Sequence, residues 1–164
     1  MIAVADTSPI CYLILIGEVE LLPKLFNEVL APQAVVYELL HPDAPEPVRA
    51  WASGLPSWFC AQDISAGAPV GMEKLQAGER AAILLAESIK AGIILLDEKA
   101  ARRVAADRGL RVTGTLGVLG EAATQGLVEL APAIDRLSKT SFRYSPALMK
   151  ATLDRFGSRR LPLM

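Results

Sequence analysis

Only 5% of this 164-residue chain is aromatic, histidine occurs once, cysteine twice, and neither sign of charge dominates. Each shortage excludes something. With so few rings the interior has to be packed from Ala, Leu, Val and Ile. Trp51, Trp58 and Phe59 read as core residues, so no base-stacking platform stands out. The lone His41 opens the proline-rich stretch 41–47 and reads as a surface-loop residue, which removes a histidine general base. Cys11 and Cys60 lie in apolar surroundings without metal-type spacing and are expected to be buried, reduced thiols of a cytoplasmic protein. The apolar run at 10–16 is too short to cross a bilayer, and Asp6 interrupts the N-terminal apolar stretch, so neither a membrane span nor a signal sequence is expected. A net charge of −1 gives no global electrostatic footprint for a polyanion. That weakens the case for a nucleic-acid substrate without removing it.

What the chain has in quantity is aliphatic residue. Hydrophobic side chains make up 52%, a little above the usual range, which points to a buried oligomer or partner surface. The length suits a single domain over 1–164, with a basic helical extension from about 132 to 164 that carries Arg143, Lys150, Arg155, Arg159 and Arg160. Short β-like runs at about 2–5, 28–30, 58–62, 93–96 and 111–113 alternate with helix-like runs. That pattern predicts an α/β fold with a central parallel sheet of about five strands, covered by helices. Ser8-Pro9 is expected to open the first helix and Gly17 to end it. A short helix is expected over 19–26, another opening at Pro32, and a further turn or two at 47–54. The Gly/Ala/Pro-rich segment 65–71 reads as a loop before a helix that starts near Glu79 and stops at Gly92. Helices at 98–108 and 115–125 end at Gly109 and Gly126, and Pro132 and Pro146 each start a helical segment.

Four acids fall where these elements end or begin. Asp6 closes the first strand, Glu38 sits on the helix after Pro32, Glu79 stands in the first turn of its helix, and Asp97 follows the fourth strand. In an open parallel sheet ligands bind beyond the carboxyl ends of the strands, where strand order reverses. If strands one and four are neighbours, Asp6 and Asp97 emerge side by side. Converging carboxylates repel unless a cation lies between them, and Mg²⁺ or Mn²⁺ is suited to such oxygen ligands. Taken singly, Asp6 and Asp97 also read as helix caps, Glu79 as a first-turn dipole residue and Glu38 as a surface glutamate.

The ordered set Ala-Asp-Thr-Ser-Pro-Ile (5–10), Glu38, Gly-Glu-Arg-Ala-Ala-Ile (78–83) and Leu-Leu-Asp-Glu-Lys-Ala-Ala-Arg (95–102) resembles the PIN-domain ribonucleases, as does Thr-Gly-Thr-Leu-Gly-Val-Leu (113–119). The family includes toxins of bacterial and archaeal toxin–antitoxin pairs. The resemblance covers 2 to about 125 and is strongest to a little-characterised branch of that superfamily. It implies a three-layer α/β/α fold and cleavage of single-stranded RNA with Mg²⁺ or Mn²⁺ held by Asp6, Glu38, Glu79 and Asp97. It also implies a homodimer, with a small antitoxin over the apolar helix surfaces near 8–30 and the mouth of the site. Two departures stand out: the third acid is Glu where the family often has Asp, and Leu95 replaces a frequent Thr or Ser.

Supporting roles fall to neighbours. Thr7 or Ser8 can hold a water or a phosphate oxygen, Glu98 can share the work of Asp97, and Thr113 and Thr115 can orient Asp97 or cap the helix at 115–125. Arg80, Lys99, Arg102 and Arg103 are the candidate phosphate contacts, whereas Arg108 and Arg111 read as a solvated face. Two other functions compete. A degenerate PIN-like module would bind RNA or protein without cutting, and a haloacid-dehalogenase-type phosphatase would need a second aspartate where this chain has Ser8.

Overall fold

The computed structural model describes residues 1–64 and 69–156. Five strands, β1 (Ile2–Ala5), β2 (Glu28–Pro32), β3 (Phe59–Gln62), β4 (Ile93–Leu95) and β5 (Val112–Thr113), form one parallel sheet in the order β3-β2-β1-β4-β5. The helices among the described residues are α1 (Thr7–Leu15), α2 (Leu21–Leu25), α3 (Gln33–Leu39), α4 (Glu46–Ala52), α5 (Ala77–Ile89), α6 (Lys99–Asp107), α7 (Thr115–Thr124), α8 (Leu130–Ser138) and α9 (Pro146–Phe156). The strand order reverses between β1 and β4, which pair with Ala5 opposite Leu95.

Alternation along the strands sorts the interior into two layers. Ala3, Ala5, Val29, Ala31, Phe59, Ile93 and Leu95 face one way, into a core built with α1–α4, α7 and α8. Val4, Leu30, Ile94 and Leu96 face the other way and pack under α5 and α6. Because both faces are covered, these strands read as unbroken aliphatic runs. The result is the expected three-layer α/β/α arrangement.

Most elements lie where the sequence places them, and the departures have local causes. Pro32 ends β2 and stands at the N-cap of α3, since a proline needs no ladder N–H at a strand end. Ser8 is already inside α1, which Asp6 precedes at the N-cap without a capping bond from its side chain. Gly17, Gly109 and Gly126 do end helices with positive φ, but α5 stops earlier than Gly92, with Lys90 in the left-handed region at φ 53°. The first C-terminal helix, α8, begins at Leu130 rather than Pro132, whereas α9 begins at Pro146 as expected. Cys60 is exposed and Cys11 half-buried, so the two thiols are not the buried pair expected. Cys60 is paired with Leu30 on the face where α5 packs over β1, β2 and β4, and the edge strand β3 lies beyond that cover. Of the 65–71 loop, residues 65–68 lie outside the described residues, as do Arg159 and Arg160 of the basic tail.

The segment from α8 onward is bound to the body. Tyr12 of α1 meets the Phe142 ring edge-on at 5.1 Å and pairs its hydroxyl with Ser141 Oγ at 3.1 Å. Arg136 donates to the Ile16 carbonyl and ion-pairs with Glu18 at 2.9 Å. At Tyr12, Ile16 and Glu18 the chain therefore packs against its own C-terminal segment. No helix among the described residues is long and apolar enough to cross a membrane.

Candidate active site

The carboxyl ends of β1 and β4 meet because the Asp6 amide donates to the Leu95 carbonyl at 3.0 Å. Asp6 leaves β1 there and is only 6% exposed. Asp97 follows β4 by two residues and is half-buried. On the β2 side, α3 delivers Glu38 from an exposed position, held by the Thr7 hydroxyl, which donates to its Oε2. Above them, α5 starts with Gly78 against the cluster. A β-carbon on Gly78 would lie 2.8 Å from Glu38 Oε1 and 3.3 Å from Asp6 Oδ1, so the two carboxylates share a recess that only glycine leaves open. Glu79, one residue on, is buried, and its Oε1 accepts the Gln76 amide at 2.9 Å. It thus serves the capping role open to a first-turn acid while its charge reaches the cluster.

Asp97 has the firmest support. The Thr115 amide donates to its Oδ1 at 2.7 Å and the Thr115 hydroxyl to its Oδ2 at 2.8 Å, with Thr115 itself fully buried. The aspartate is therefore fastened to the amino end of α7 and does not cap α6, whose N-cap is Glu98. Of the two threonines expected to orient it, Thr115 does so; Thr113 Oγ1 lies against Gly117. Arg102 Nη1 donates to the Leu96 carbonyl at 3.1 Å and comes against Gly114 together with Asp97 Oδ1.

The electrostatics tie these groups into one cluster. Burial pushes the Asp6 carboxyl up to about 7; the Thr7 backbone amide draws it back, and the charges of Glu79, Glu38 and Asp97 raise it further. Glu79 is also raised, by burial first, against the Gln76 amide, with Glu98 and Glu38 adding to the rise. Burial raises Asp97 despite the Thr115 bonds and the Arg102 cation, and Glu98 reinforces it. Glu98, exposed at the head of α6, is thus a fifth charge in the same field.

Three of the expected residues fall outside this arrangement. Ser8 makes no side-chain hydrogen bond among the described residues, Thr113 faces α7, and Arg80 turns its guanidinium to the Leu75 carbonyl at 2.7 Å. Lys99 and Arg103 are exposed on α6. The roles of Gly78 and Gln76 carried no sequence signal, because each depends on a neighbour brought in by folding.

Among the described residues, no three acidic, histidine or cysteine side chains close around one point as a finished cation cage does. The donor chemistry nonetheless fits a hard divalent ion. The ligands on offer are carboxylate oxygens from four separate elements, they repel one another, and the recess at Gly78 lies between two of them.

A family model described as a PIN domain matches residues 2–158. The structure of a PilT N-terminus domain protein from the hyperthermophilic archaeon Sulfolobus solfataricus P2 is similar, with a TM-score of 0.51 at 14% identity, covering 88% of this chain and 100% of that one. At that identity the likeness speaks for the fold alone. No curated protein matches the chain significantly.

Proposed function

The chain belongs to the PIN-domain family, a nuclease-type fold that generally works with divalent metal, and on that footing we propose that it is an endoribonuclease dependent on Mg²⁺ or Mn²⁺ that cuts single-stranded RNA. The observation that carries the reading is the convergence of Asp6, Glu38, Glu79 and Asp97 at the carboxyl edge of the sheet, where its strand order reverses. Those four residues would hold one or two ions. A bound cation supplies Lewis-acid polarisation of the phosphate and acidifies water for attack.

The rest is positioning by this chain's own groups. Thr115 clamps both oxygens of Asp97, Thr7 fixes Glu38, and the Gln76 amide fixes Glu79, so the donor set is preorganised. Lys99 and Arg103, exposed on α6, meet the substrate's phosphates, while Arg102 stands against Asp97. So local a supply of cations suits a flexible strand that bends into the site better than a duplex, which needs an extended cationic face. Calorimetric titration with Mn²⁺ tests the assignment: binding by the wild type and its loss in Asp97→Asn is the expected pair of results. Equal binding by both proteins would remove Asp97 from the site.

The proposal extends to setting. The chain acts as a homodimeric toxin of a type II pair in the cytoplasm, and its small antitoxin covers the mouth of the site. Tyr37 on α3 and Leu40 at its C-cap are exposed apolar residues close in sequence to Glu38 and are offered to that partner. Co-expression with a small protein encoded beside it should relieve growth arrest. The rival reading, a PIN module that binds RNA without cutting, draws on the absence of a closed cation cage among the described residues. Metal-dependent cleavage decides against it.

A further inference from the structure

The amino-terminal turns of α6 present Lys99, Arg102 and Arg103, an arrangement the helix dipole disfavours unless an anion is present. Glu98 at the N-cap and Asp97 before it are the acids at this end, Asp97 lies against Arg102, and among the described residues neither Lys99 nor Arg103 has an ion pair. Other cations are occupied: Arg108 pairs with Glu87 at 2.7 Å, and Arg136 with Glu18. The α6 cations also border an open cleft of about 560 Å³, whose other lining residues are Ala106, Leu110 and Val112. That volume lies within the ~300–1,000 Å³ typical of small-ligand sites. The cleft runs along α6 to β5, the edge strand of the sheet, and Arg102 belongs to both the cleft and the surroundings of Asp97.

We infer that this cleft is a nucleotide subsite adjoining the acidic centre. Lys99 and Arg103 take a phosphate of the strand, and the apolar floor of Ala106, Leu110 and Val112 takes the face of the attached base or ribose. Arg102 has a separate part. Its Nη1 is spent on the Leu96 carbonyl beside Asp97, so it is a positioning residue that fixes the boundary between subsite and acids. The mixed lining argues for a whole nucleotide, because a site for phosphate alone needs no apolar wall. A strand bound there leaves the acidic centre over α6, which sets its direction across the sheet edge.

The inference rests on the RNA-cleaving reading, so its test separates binding from cleavage. Fluorescence anisotropy with a labelled 12-mer single-stranded RNA in EDTA reads binding without metal. Ala106→Glu places an anion in the cleft at an exposed, helix-compatible position, and Lys99→Glu/Arg103→Glu reverses the phosphate contacts. Lys24→Glu, a charge reversal at an exposed position on α2, is the control remote from the cleft. Both cleft variants should bind roughly tenfold more weakly at physiological salt than wild type and control. The double variant should also lose about 0.7 of salt slope for each phosphate contact removed. Unchanged affinity in both cleft variants overturns the subsite while leaving the nuclease reading in place if cleavage persists. A wild-type chain that neither binds nor cuts RNA overturns both.

Discussion

Asp6 carries a carboxyl that burial holds up at about 7, with Glu79, Glu38 and Asp97 pushing the same way. An acid whose pKa is higher in the folded than in the unfolded chain binds its proton more tightly when folded. Stability is therefore greatest below the ordinary aspartate value, falls as pH rises from about 4 towards 7, and stays reduced above that. The span corresponds to about 4 kcal/mol for Asp6 in the absence of a cation. Glu79 and Asp97, also raised, add in the same direction. Urea melts in EDTA should show wild-type stability declining from pH 4 to 8, while Asp6→Asn declines less and is the more stable protein at pH 8. Matching slopes would mean that Asp6 is not buried among like charges. Thr115 supplies the opposite lesson. Thr115→Val removes one of two donors to Asp97 and should cost about 10–100-fold in cleavage, with Thr115→Ser close to wild type. Sequence alone left Thr115 open between capping and orienting; the three-dimensional approach of Asp97, 18 residues away, decides it.

The strands and most helices were legible because each has a one-dimensional cause: an aliphatic run covered on both faces, or a glycine able to take positive φ after the last turn. Gly17, Gly109 and Gly126 follow that rule, while the stop at Lys90 does not, since a left-handed lysine leaves no compositional mark. The candidate site was legible in the same measure. Asp6 and Asp97 follow apolar runs, which a reader can see; that β1 and β4 adjoin had to be supplied by the fold. Gly78 was invisible because its importance lies in what faces it. A Gly78→Ala substitution should gain up to ~1 kcal/mol from helix propensity, yet its β-carbon would meet Glu38 Oε1 at 2.8 Å. The expected outcome is a stability little changed and a cleavage rate reduced at least tenfold, measured by melting and by turnover on the same preparation. Wild-type turnover would show that the recess need not stay open.

At the scale of the molecule, the C-terminal helices are part of the body, and a basic tail free to embrace substrate is not what the described residues show. Phe156 of α9 rests on α7 at Gly120, where a β-carbon would come 2.3 Å from the ring. Gly120→Ala, favourable to helix propensity, should therefore loosen α9, and amide exchange should accelerate across 146–156 with α5 unaffected. Basic character was visible in sequence; docking was not, because it depends on Tyr12 and Gly120, far along the chain. The same assembly positions α7, whose first residue holds Asp97, so fold and site share one framework. The proposed function has this framework gather acids to cut RNA with a divalent ion. It is tested most directly by incubating labelled single-stranded RNA with Mn²⁺ or Mg²⁺, the purified protein, its Asp6→Ala variant and an EDTA control. Cleavage by the wild type alone, abolished by EDTA, is the predicted result; equal cleavage by Asp6→Ala, or cleavage that survives EDTA, would contradict it.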